Sequence, residues 1–444
     1  MPYAIDLFCG AGGCSEGLIQ AGFHILFSSD ISDMVEVTYR NRHEQLGLIQ
    51  GYNTWFERAD IRDLTGQTIW QHIRELEWFN NGEQVAPQDI DLMIGGPSCQ
   101  GFSRAGRRDK KDPRNMLFGE YVRVINEVRP KYVVLENVEG FMDMQFLGYV
   151  GITGVCYPDG SVTPDILRNE LSLIGYSTLE PRILNAADYG VPQRRNRVIF
   201  IGYREGERVP QYPEPILNSE NHLTLRDAIG DLISDNTIRR RVNHRRSQYQ
   251  NESRAGRTPG VNGLPIPAPR ALTCLELPNV TQIVTERFSL FNQGETGTNL
   301  KRRIREHGID ISGKTALIEL CSSQFNLTEQ EVIEVFQNGD ATDEQIDVLL
   351  TKKNIRQRWS PNQPSATIVS IPDDYISPWE PRTFSVREMA RCQSFDDSFE
   401  FLGKRTTGGL LRRTEVPQYT QVGNAVPPLL ARAIALEIMN CLRE

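Results

Sequence analysis

The stretch Gly95-Gly96-Pro97-Ser98-Cys99-Gln100-Gly101-Phe102-Ser103 decides how this chain is interpreted. It follows a short apolar run, residues 90–94, which contains β-branched side chains and therefore predicts a buried strand. The two glycines and Pro97 end that strand in a turn. Cys99 would then lie at the carboxyl end of a strand in an open α/β sheet, where such sheets bind their ligands.

A group of basic side chains follows Cys99, namely Arg104, Arg107, Arg108, Lys110, Lys111 and Arg114. A positive field beside a thiol favours the thiolate, which is the nucleophilic form. The alternative is a buried structural cysteine next to a solvated loop, because free cysteine often behaves as a small apolar residue. This stretch alone leaves both interpretations open.

The composition is that of a soluble globular protein, with 444 residues, 39% hydrophobic and 24% charged, and this length predicts two or three domains. No apolar run approaches about 18 residues, and no charged region precedes the first predicted strand. We therefore expect neither a membrane-spanning helix nor a secretory signal. The eight cysteines show no C-x-x-C spacing, so we expect no metal site, no disulfide framework and a reduced, cytoplasmic setting.

The net charge of −8 argues mildly against a nucleic-acid partner, but binding depends on local fields rather than on totals. Basic residues are concentrated in the segments 104–114, 239–257, 301–305 and 352–358, and acidic residues in 329–347. A single basic segment is more often a solvated face. Several of them in one acidic chain favour a binding face.

The N-terminal residues have the pattern that opens a doubly wound α/β fold. Residues 3–8 predict a strand, residues 9–13 (Cys-Gly-Ala-Gly-Gly) a tight turn, and residues 15–20 the start of a helix. The turn has the form Phe-x-Gly-x-Gly rather than G-x-G-x-x-G. This form favours a mononucleoside cofactor over a dinucleotide.

Two carboxylates follow the turn at predicted strand ends. Asp30 ends the strand predicted for residues 24–29 and suits a ribose diol. Asp60 could accept a hydrogen bond from an exocyclic amine while Ile61 lies against a base. Turn chemistry is the alternative for both, but their order after the glycine turn favours ribose and adenine contacts.

A third carboxylate, Glu136, ends the strand predicted for residues 132–135 of the same sheet. A buried glutamate at a strand end needs a partner, which favours a functional role. Further on, Arg195 and Arg197 alternate at the start of another predicted strand and should share one face. For Arg194 we favour a surface position.

Together these pieces strongly resemble the cytosine-C5 DNA methyltransferases, of the prokaryotic restriction–modification type. The matching motifs are Asp6-Leu7-Phe8-Cys9-Gly10-Ala11-Gly12, the stretch 95–103, Glu136-Asn137-Val138, Gln193-x-Arg195-x-Arg197, Arg387-Glu388-x-Ala390-Arg391-x-Gln393-x-Phe395 and Gln421-Val422-Gly423-Asn424-Ala425-Val426-Pro427-Pro428. The resemblance covers roughly residues 3–232 and 380–444. Two positions depart from the family: Ser98 replaces a proline, and Phe395-Asp396-Asp397 replaces Phe-Pro-Asp.

The resemblance implies an α/β fold: a Rossmann-like sheet of S-adenosylmethionine-dependent methyltransferases with a second, smaller DNA target recognition domain. Residues 1–232 would form the first part of the catalytic domain, 233–375 the recognition domain, and 376–444 the return to the catalytic domain. Capping-box spacing at Thr328 and Thr342 predicts two helices in the middle region. For these acidic helices an alternative is a helical insertion that serves stability or protein contacts.

The resemblance also implies a reaction, the transfer of a methyl group to C5 of a flipped cytosine in a specific double-stranded DNA sequence. Cys99 would add to C6 and so make C5 nucleophilic. Glu136 would hold N3 and the 4-amino group. The Pro97 carbonyl could also accept a hydrogen bond from that amino group. Arg195 would bind the O2 carbonyl, and Arg197 would orient Glu136.

The family's ligands can be assigned to positions of this sequence. S-adenosylmethionine would contact Phe8, Gly10, Gly12, Asp30, Ile31, Asp60, Ile61, Pro97, Leu117, Asn424, Ala425 and Val426. DNA would contact Gln100, Ser103, Arg104, Arg107, Arg240 and Arg245. The expected partners are double-stranded DNA and a separately acting restriction endonuclease, with no membrane, in the cytoplasm at a bacterial nucleoid.

Three other interpretations compete with this one. A C5 methyltransferase acting on tRNA would carry Cys-Phe-Thr near Arg240, and the sequence has none there. A DNA-binding relative with a dead site would not need Cys99, Glu136 and Arg195 together. A nicotinamide-dependent dehydrogenase would leave these three residues without roles.

Overall fold

The computed structural model describes residues 1–97, 116–242, 245–352, 355–370, 372–409, 411 and 414–443. The predicted nucleophile and four predicted DNA contacts lie outside the described residues: Cys99, Gln100, Ser103, Arg104 and Arg107. The remaining basic residues of segment 104–114 lie outside them as well.

A central sheet of eight strands forms the middle layer of the molecule. The strands are β1 (Tyr3–Leu7), β2 (His24–Asp30), β3 (Trp55–Arg58), β4 (Leu92–Gly95), β5 (Tyr132–Asn137), β6 (Tyr176–Thr178), β7 (Arg182–Asn185) and β8 (Asn196–Arg204). Their order is β3-β2-β1-β4-β5-β8-β6, with β7 also paired to β8. The first five strands are parallel, and β8 is antiparallel to its neighbours. Because β1 lies between β2 and β4, the strand order reverses there, which is where open sheets bind ligands.

Helices cover this sheet and form the rest of the chain. They are α1 (Gly13–Ala21), α2 (Asp33–Gln45), α3 (Gly66–Arg74), α4 (Glu77–Asn80), α5 (Leu117–Val128), α6 (Thr163–Leu173), α7 (Leu225–Ile229), α8 (Asn236–Val242), α9 (Gln248–Ala255), α10 (Gln282–Ser289), α11 (Gly297–His307), α12 (Thr315–Phe325), α13 (Glu329–Asn338), α14 (Asp343–Leu350), α15 (Val386–Cys392), α16 (Gln418–Asn424) and α17 (Pro428–Arg443). Two short parallel strands, β9 (Gln357–Arg358) and β10 (Tyr375–Ile376), pair outside the main sheet.

Strand β5 is longer than its apolar run predicts. Glu136 and Asn137 continue the strand because they pair with Ile199 and Val198 of β8. The backbone of Glu136 is therefore held by sheet hydrogen bonding rather than by a turn.

The last helix, α17, returns to the start of the chain as predicted and packs against α1. A Cβ atom on Gly17 would lie 2.6 Å from the Ala431 Cβ, so only glycine permits this approach. By length and composition the stretch Gln418–Arg443 could cross a membrane. Its apolar side chains Leu430, Ile434 and Ile438 are however buried in one core cluster with β1 and β2, as in the core helix of a globular protein.

Two further apolar clusters lie outside the sheet. One joins residues 225–274 with residues 359–425, and both Ile229 and Ile233 belong to it. The predicted boundary at residue 232 thus falls inside a packed cluster, and the domain limits stay a prediction.

The other cluster is formed by α10–α14 together with Ile376. Both capping boxes of this segment are confirmed, since Thr328 and Thr342 each cap a helix. Phe336 and Ile346 on these two acidic helices are buried, so the helices contribute to the stability of the segment.

Candidate active site

The glycine turn after β1 adopts an unusual backbone conformation. Phe8 has φ 57°, a left-handed value that costs a non-glycine residue about 1–3 kcal/mol. Gly10 and Gly12 have φ 51° and 94°, which glycine adopts freely. Surrounding bonds hold the turn in place, because the Cys9 N–H donates to the Ser29 carbonyl at 3.1 Å. The turn is thus a fixed feature of the sheet end.

Asp30 joins this turn to the end of β2. Its Oδ2 accepts from the Gly10 N–H at 3.0 Å, and its Oδ1 accepts from the Ser32 N–H at 2.9 Å. Burial raises the pKa of Asp30. Beside it the Ile31 side chain is 66% exposed, so it offers an apolar surface next to the carboxylate.

A chain of buried hydroxyl groups lies behind the turn. The Ser15 hydroxyl donates to Asp6 Oδ2 at 2.6 Å, and the Tyr39 hydroxyl lies 2.6 Å from Ser15 Oγ and 2.5 Å from Ser28 Oγ. Burial raises the pKa of Asp6 to about 7. The Tyr39 ring lies so close to Gly12 that a Cβ there would meet it at 3.1 Å. The sequence analysis did not predict these hydrogen bonds behind the turn. The feature of the sequence that indicates them is Asp6, a polar residue within a predicted buried strand.

Asp60 has a partner that the sequence analysis did not give it. The Arg62 side chain donates to Asp60 Oδ1 at 2.9 Å through Nε, and this hydrogen bond lowers the pKa of Asp60. The neighbouring Ile61 is 6% exposed. An adenine amine would therefore share Asp60 with an arginine.

The C-terminal segment 424–426, which supplies three of the predicted cofactor contacts, meets the glycine turn. A Cβ atom on Gly13 would lie 2.1 Å from the Val426 carbonyl oxygen, so the two backbones touch. Ala425 is buried and Asn424 is exposed. Leu117, the first residue of α5, is half-buried.

Glu136 and Arg197 form an ion pair at the end of β5. Arg197 Nε lies 2.6 Å from Glu136 Oε1, and the two side chains are 11% and 12% exposed. A Cβ atom on Gly96 would lie 3.1 Å from Glu136 Oε2, so the stretch that leads to Cys99 passes directly beside this carboxylate.

Asn137 holds the same stretch from the next position of β5. Its Nδ2 donates to the Pro97 carbonyl at 2.9 Å. We expected that carbonyl to accept from a cytosine amino group, whereas here an amide of the protein already donates to it. The sequence analysis gave Asn137 no role, because its partner is distant in sequence.

Arg195 does not share the position of Arg197. It is 2% exposed, and its Nη1 and Nη2 donate to the carbonyls of Ile368 at 3.1 Å and Gly423 at 2.9 Å. These contacts do not fit the expected bond to a cytosine O2. The predicted alternation is confirmed, since Arg195 and Arg197 are buried whereas residues 194 and 196 are exposed, but the two buried arginines meet different acceptors.

Several basic side chains in two of the four basic segments have partners within the protein. In segment 301–305, Lys301 pairs with Asp347, Arg303 with Glu295 and Arg305 with Asp343. In segment 352–358, Arg356 lies over the Phe288 ring at 5.1 Å, and Arg358 donates to the Phe291 carbonyl at 3.0 Å. Arg302 and Lys352 of these segments are exposed, so a binding face there stays a prediction.

The segment around α8 differs. Arg240 and Arg245 are exposed, and within the described part of the chain no carboxylate lies within ion-pair distance of either side chain. Arg254 and Arg257 of the same segment do pair, with Asp231 and Asp396.

Comparison with known proteins agrees with these features. The family model described as C-5 cytosine-specific DNA methylase matches residues 3–440. The type II methyltransferase M.DdeI of Desulfomicrobium norvegicum is 30% identical, over 98% of this chain and 88% of its own length. M.AgeI of Thalassovita gelatinovora is 29% identical, over 97% of both chains.

Solved structures show the same fold. One from E. coli, described as a prophage-encoded DNA modification methyltransferase, superposes with a TM-score of 0.62 at 22% identity, over 100% of both chains. The S. pombe Dnmt2 methyltransferase gives a TM-score of 0.52 at 16% identity, also over 100% of both chains.

Proposed function

The chain belongs to the C-5 cytosine-specific DNA methylase family and is a DNA cytosine-5 methyltransferase of the restriction–modification type, and we propose that its reaction takes place where Glu136 and Arg197 meet the stretch containing Cys99. The observation that supports this location is the Glu136–Arg197 pair, which lies directly beside Gly96. The same sheet edge carries the glycine turn after β1.

The family implies S-adenosylmethionine, and the residues of the sheet end fit such a group. A Cβ atom built on Gly10 meets no described atom within 4 Å, so open space lies above the turn. Asp30 is in position to accept from a ribose hydroxyl, and Ile31 is exposed for an adenine ring. Phe8, Gly12, Asp60, Ile61, Pro97, Leu117 and the loop 424–426 complete the proposed contacts. When bound, the cofactor supplies a methyl group on a sulfonium.

In the proposed reaction the Cys99 thiolate adds to C6 of a flipped cytosine. Negative charge then develops on the ring toward N3 and O2. Glu136 holds N3 and the 4-amino group and shares a proton with N3, so that this charge is drained. C5 becomes nucleophilic and takes the methyl group, and loss of the C5 proton then lets Cys99 leave C6.

We reassign the two arginines on the basis of their contacts. Arg197 contacts Glu136, as its predicted role in orienting that carboxylate requires, and we propose that it also binds the O2 carbonyl of the base. Arg195 acts through the backbone of Ile368 and Gly423 and is a positioning residue.

Double-stranded DNA is the proposed substrate, and the region 233–375 the proposed recognition domain. Arg240 and Arg245 are proposed phosphate contacts because they are exposed and carry uncompensated charge. Gln100, Ser103, Arg104 and Arg107 keep their predicted DNA roles by resemblance. We also propose a separate cognate endonuclease and a cytoplasmic, nucleoid-associated location, because both are usual for the family.

Bisulfite sequencing of plasmid DNA from cells that express this chain tests the proposal. Protected cytosines in one sequence context would establish the activity together with the recognition site, and the Cys99→Ala variant should lose all protection. Soluble wild-type protein without a protected cytosine would contradict the proposed substrate. Equal protection by Cys99→Ala would contradict the proposed chemistry.

A further inference from the structure

Two buried glutamines face each other between β8 and α15. Gln193 and Gln393 are both 0% exposed, and Gln193 Nε2 donates to Gln393 Oε1 at 2.8 Å. Each belongs to one of the family motifs, but the reaction described above gives neither glutamine a role. A fully buried carboxamide needs partners for both its oxygen and its nitrogen. The atoms that do not face the other glutamine must therefore bind other groups of the protein.

The outer ends are fixed by backbone groups. The Ile368 N–H donates to Gln193 Oε1 at 2.8 Å, and Gln393 Nε2 donates to the carbonyls of Val422 at 2.7 Å and Ala425 at 3.3 Å. Since a backbone N–H requires an oxygen and a carbonyl requires a donor, these partners determine the orientation of both amides. The result is one chain of hydrogen bonds with a fixed direction, from the Ile368 N–H through both glutamines to the loop 422–426. We call this chain the relay.

The far end of the relay lies at the glycine turn. The Val426 carbonyl, one residue beyond Ala425, touches Gly13 so closely that no Cβ fits there. At the near end, a Cβ on Gly423 would lie 2.7 Å from Ser370 N, so the segment 368–370 presses on the same loop. The loop is thus held between the relay and the turn that faces the proposed cofactor.

We propose that Gln193 and Gln393 are positioning residues for cofactor binding, which hold the loop 422–426 against the glycine turn through their relay. This inference rests on the proposed cofactor site. Neither side chain touches the cofactor. Each acts through the backbone carbonyls that Gln393 binds, and removing either glutamine breaks the same chain of hydrogen bonds.

Calorimetric titration of the full chain with S-adenosylhomocysteine tests the proposal. Gln193→Met and Gln393→Met keep side-chain length but remove both polar ends. Each should weaken binding about tenfold, because a buried donor or acceptor loses its partner. If the glutamines act as one unit, the double variant should bind within about threefold of either single variant, well short of the product of the two effects.

Gln250→Met is the matched control. Gln250 is also 0% exposed, and its Nε2 donates to the Arg226 carbonyl at 2.9 Å in the same apolar region. This control should lower thermal stability while leaving affinity for S-adenosylhomocysteine within about twofold. In turnover assays, Gln393→Met should raise KM for S-adenosylmethionine more than it lowers kcat.

Three results would overturn the proposal. They are an unchanged affinity for S-adenosylhomocysteine in Gln393→Met, a loss of affinity in the double variant equal to the product of the two single losses, and an equal loss of affinity in Gln250→Met. Where Gln393→Met does not fold, Gln193→Met alone carries the test, because it breaks the same chain of hydrogen bonds and leaves the bonds from Gln393 to Val422 and Ala425 in place. Absence of binding by the wild-type chain would instead refute the proposed cofactor site, so the two failures are distinguishable.

Discussion

Arginine has different tasks at the end of the sheet and in the helical segment between α10 and β10. At the sheet end Arg197 faces the carboxylate of Glu136, and both side chains keep some exposure. In the helical segment Arg287, Arg356 and Arg358 donate to backbone carbonyls at the end of α14 and just after α10, and burial lowers the pKa of all three. The first arrangement can act on a bound base, whereas the second joins chain segments. Basic residues that look alike in sequence therefore differ in function according to their acceptors.

The strongest test of this contrast is Glu136→Gln. Loss of the carboxylate removes proton sharing at N3, so kcat should fall by about 100-fold or more. DNA affinity should change little, because the backbone contacts remain. The matched control is Glu139→Gln, which replaces a carboxylate three residues further on that accepts from Asn196 at 2.6 Å. Single-turnover methylation rates measure both, and a less than threefold loss for Glu136→Gln would remove Glu136 from the chemistry.

A change in the helical segment should act on stability instead. Arg358→Met leaves the carbonyls of Phe291 and Ser377 without this donor and removes one of two donors to the Pro378 carbonyl, so the free energy of unfolding should fall by about 3 kcal/mol. Urea denaturation measures this loss, and the rate per folded molecule should stay within about twofold. Arg302→Met, at an exposed position of α11, should cost less than about 0.5 kcal/mol. Equal stability of the two variants would show that Arg358 is not structural.

A third change separates binding from chemistry within the sheet end. Asp30→Ala removes the acceptor for the Gly10 and Ser32 N–H groups and the proposed ribose contact. Affinity for S-adenosylhomocysteine should fall about tenfold, or about 1.4 kcal/mol, with a smaller change in kcat. The exposed Asp33→Asn serves as the control. An unchanged affinity would place the ribose elsewhere.

The smallest expected effect concerns DNA affinity and salt. The double change Arg240→Gln with Arg245→Gln should lower the slope of log K against log salt concentration by about 2, since each phosphate contact contributes about 0.9. The double change Arg303→Gln with Arg305→Gln should leave that slope unchanged, because both arginines already pair with carboxylates. Fluorescence anisotropy at several salt concentrations measures the slope for each double variant. Equal slopes would contradict the difference between the two segments.

Local patterns predicted much of this molecule. The glycine turn, the strand-end position of Glu136 and the capping boxes at Thr328 and Thr342 each depend on neighbouring residues, and sequence shows neighbours directly. Long-range partners could not be found in this way. The bond from Asn137 to the Pro97 carbonyl and the relay between Gln193 and Gln393 join residues far apart in the chain.

The arginines show the same limit. Arg195 and Arg197 share one buried face, as strand alternation predicts, but the sequence does not show that the first meets backbone carbonyls and the second a carboxylate. Arg356 and Arg358 looked like part of a phosphate-binding segment because sequence does not show which acceptors a side chain meets. Acceptors, rather than residue type, determine the role of each cation.

The covalent step is the central claim, and it can be observed directly. The wild-type chain should be incubated with S-adenosylmethionine and a duplex that carries 5-fluorocytosine at the methylated position. Because fluorine at C5 cannot leave as a proton does, a complex that survives denaturation should form, and mass spectrometry of its peptides should place the nucleotide on Cys99. An enzyme that methylates normal DNA but forms no such complex, or forms it on another cysteine, would contradict the account.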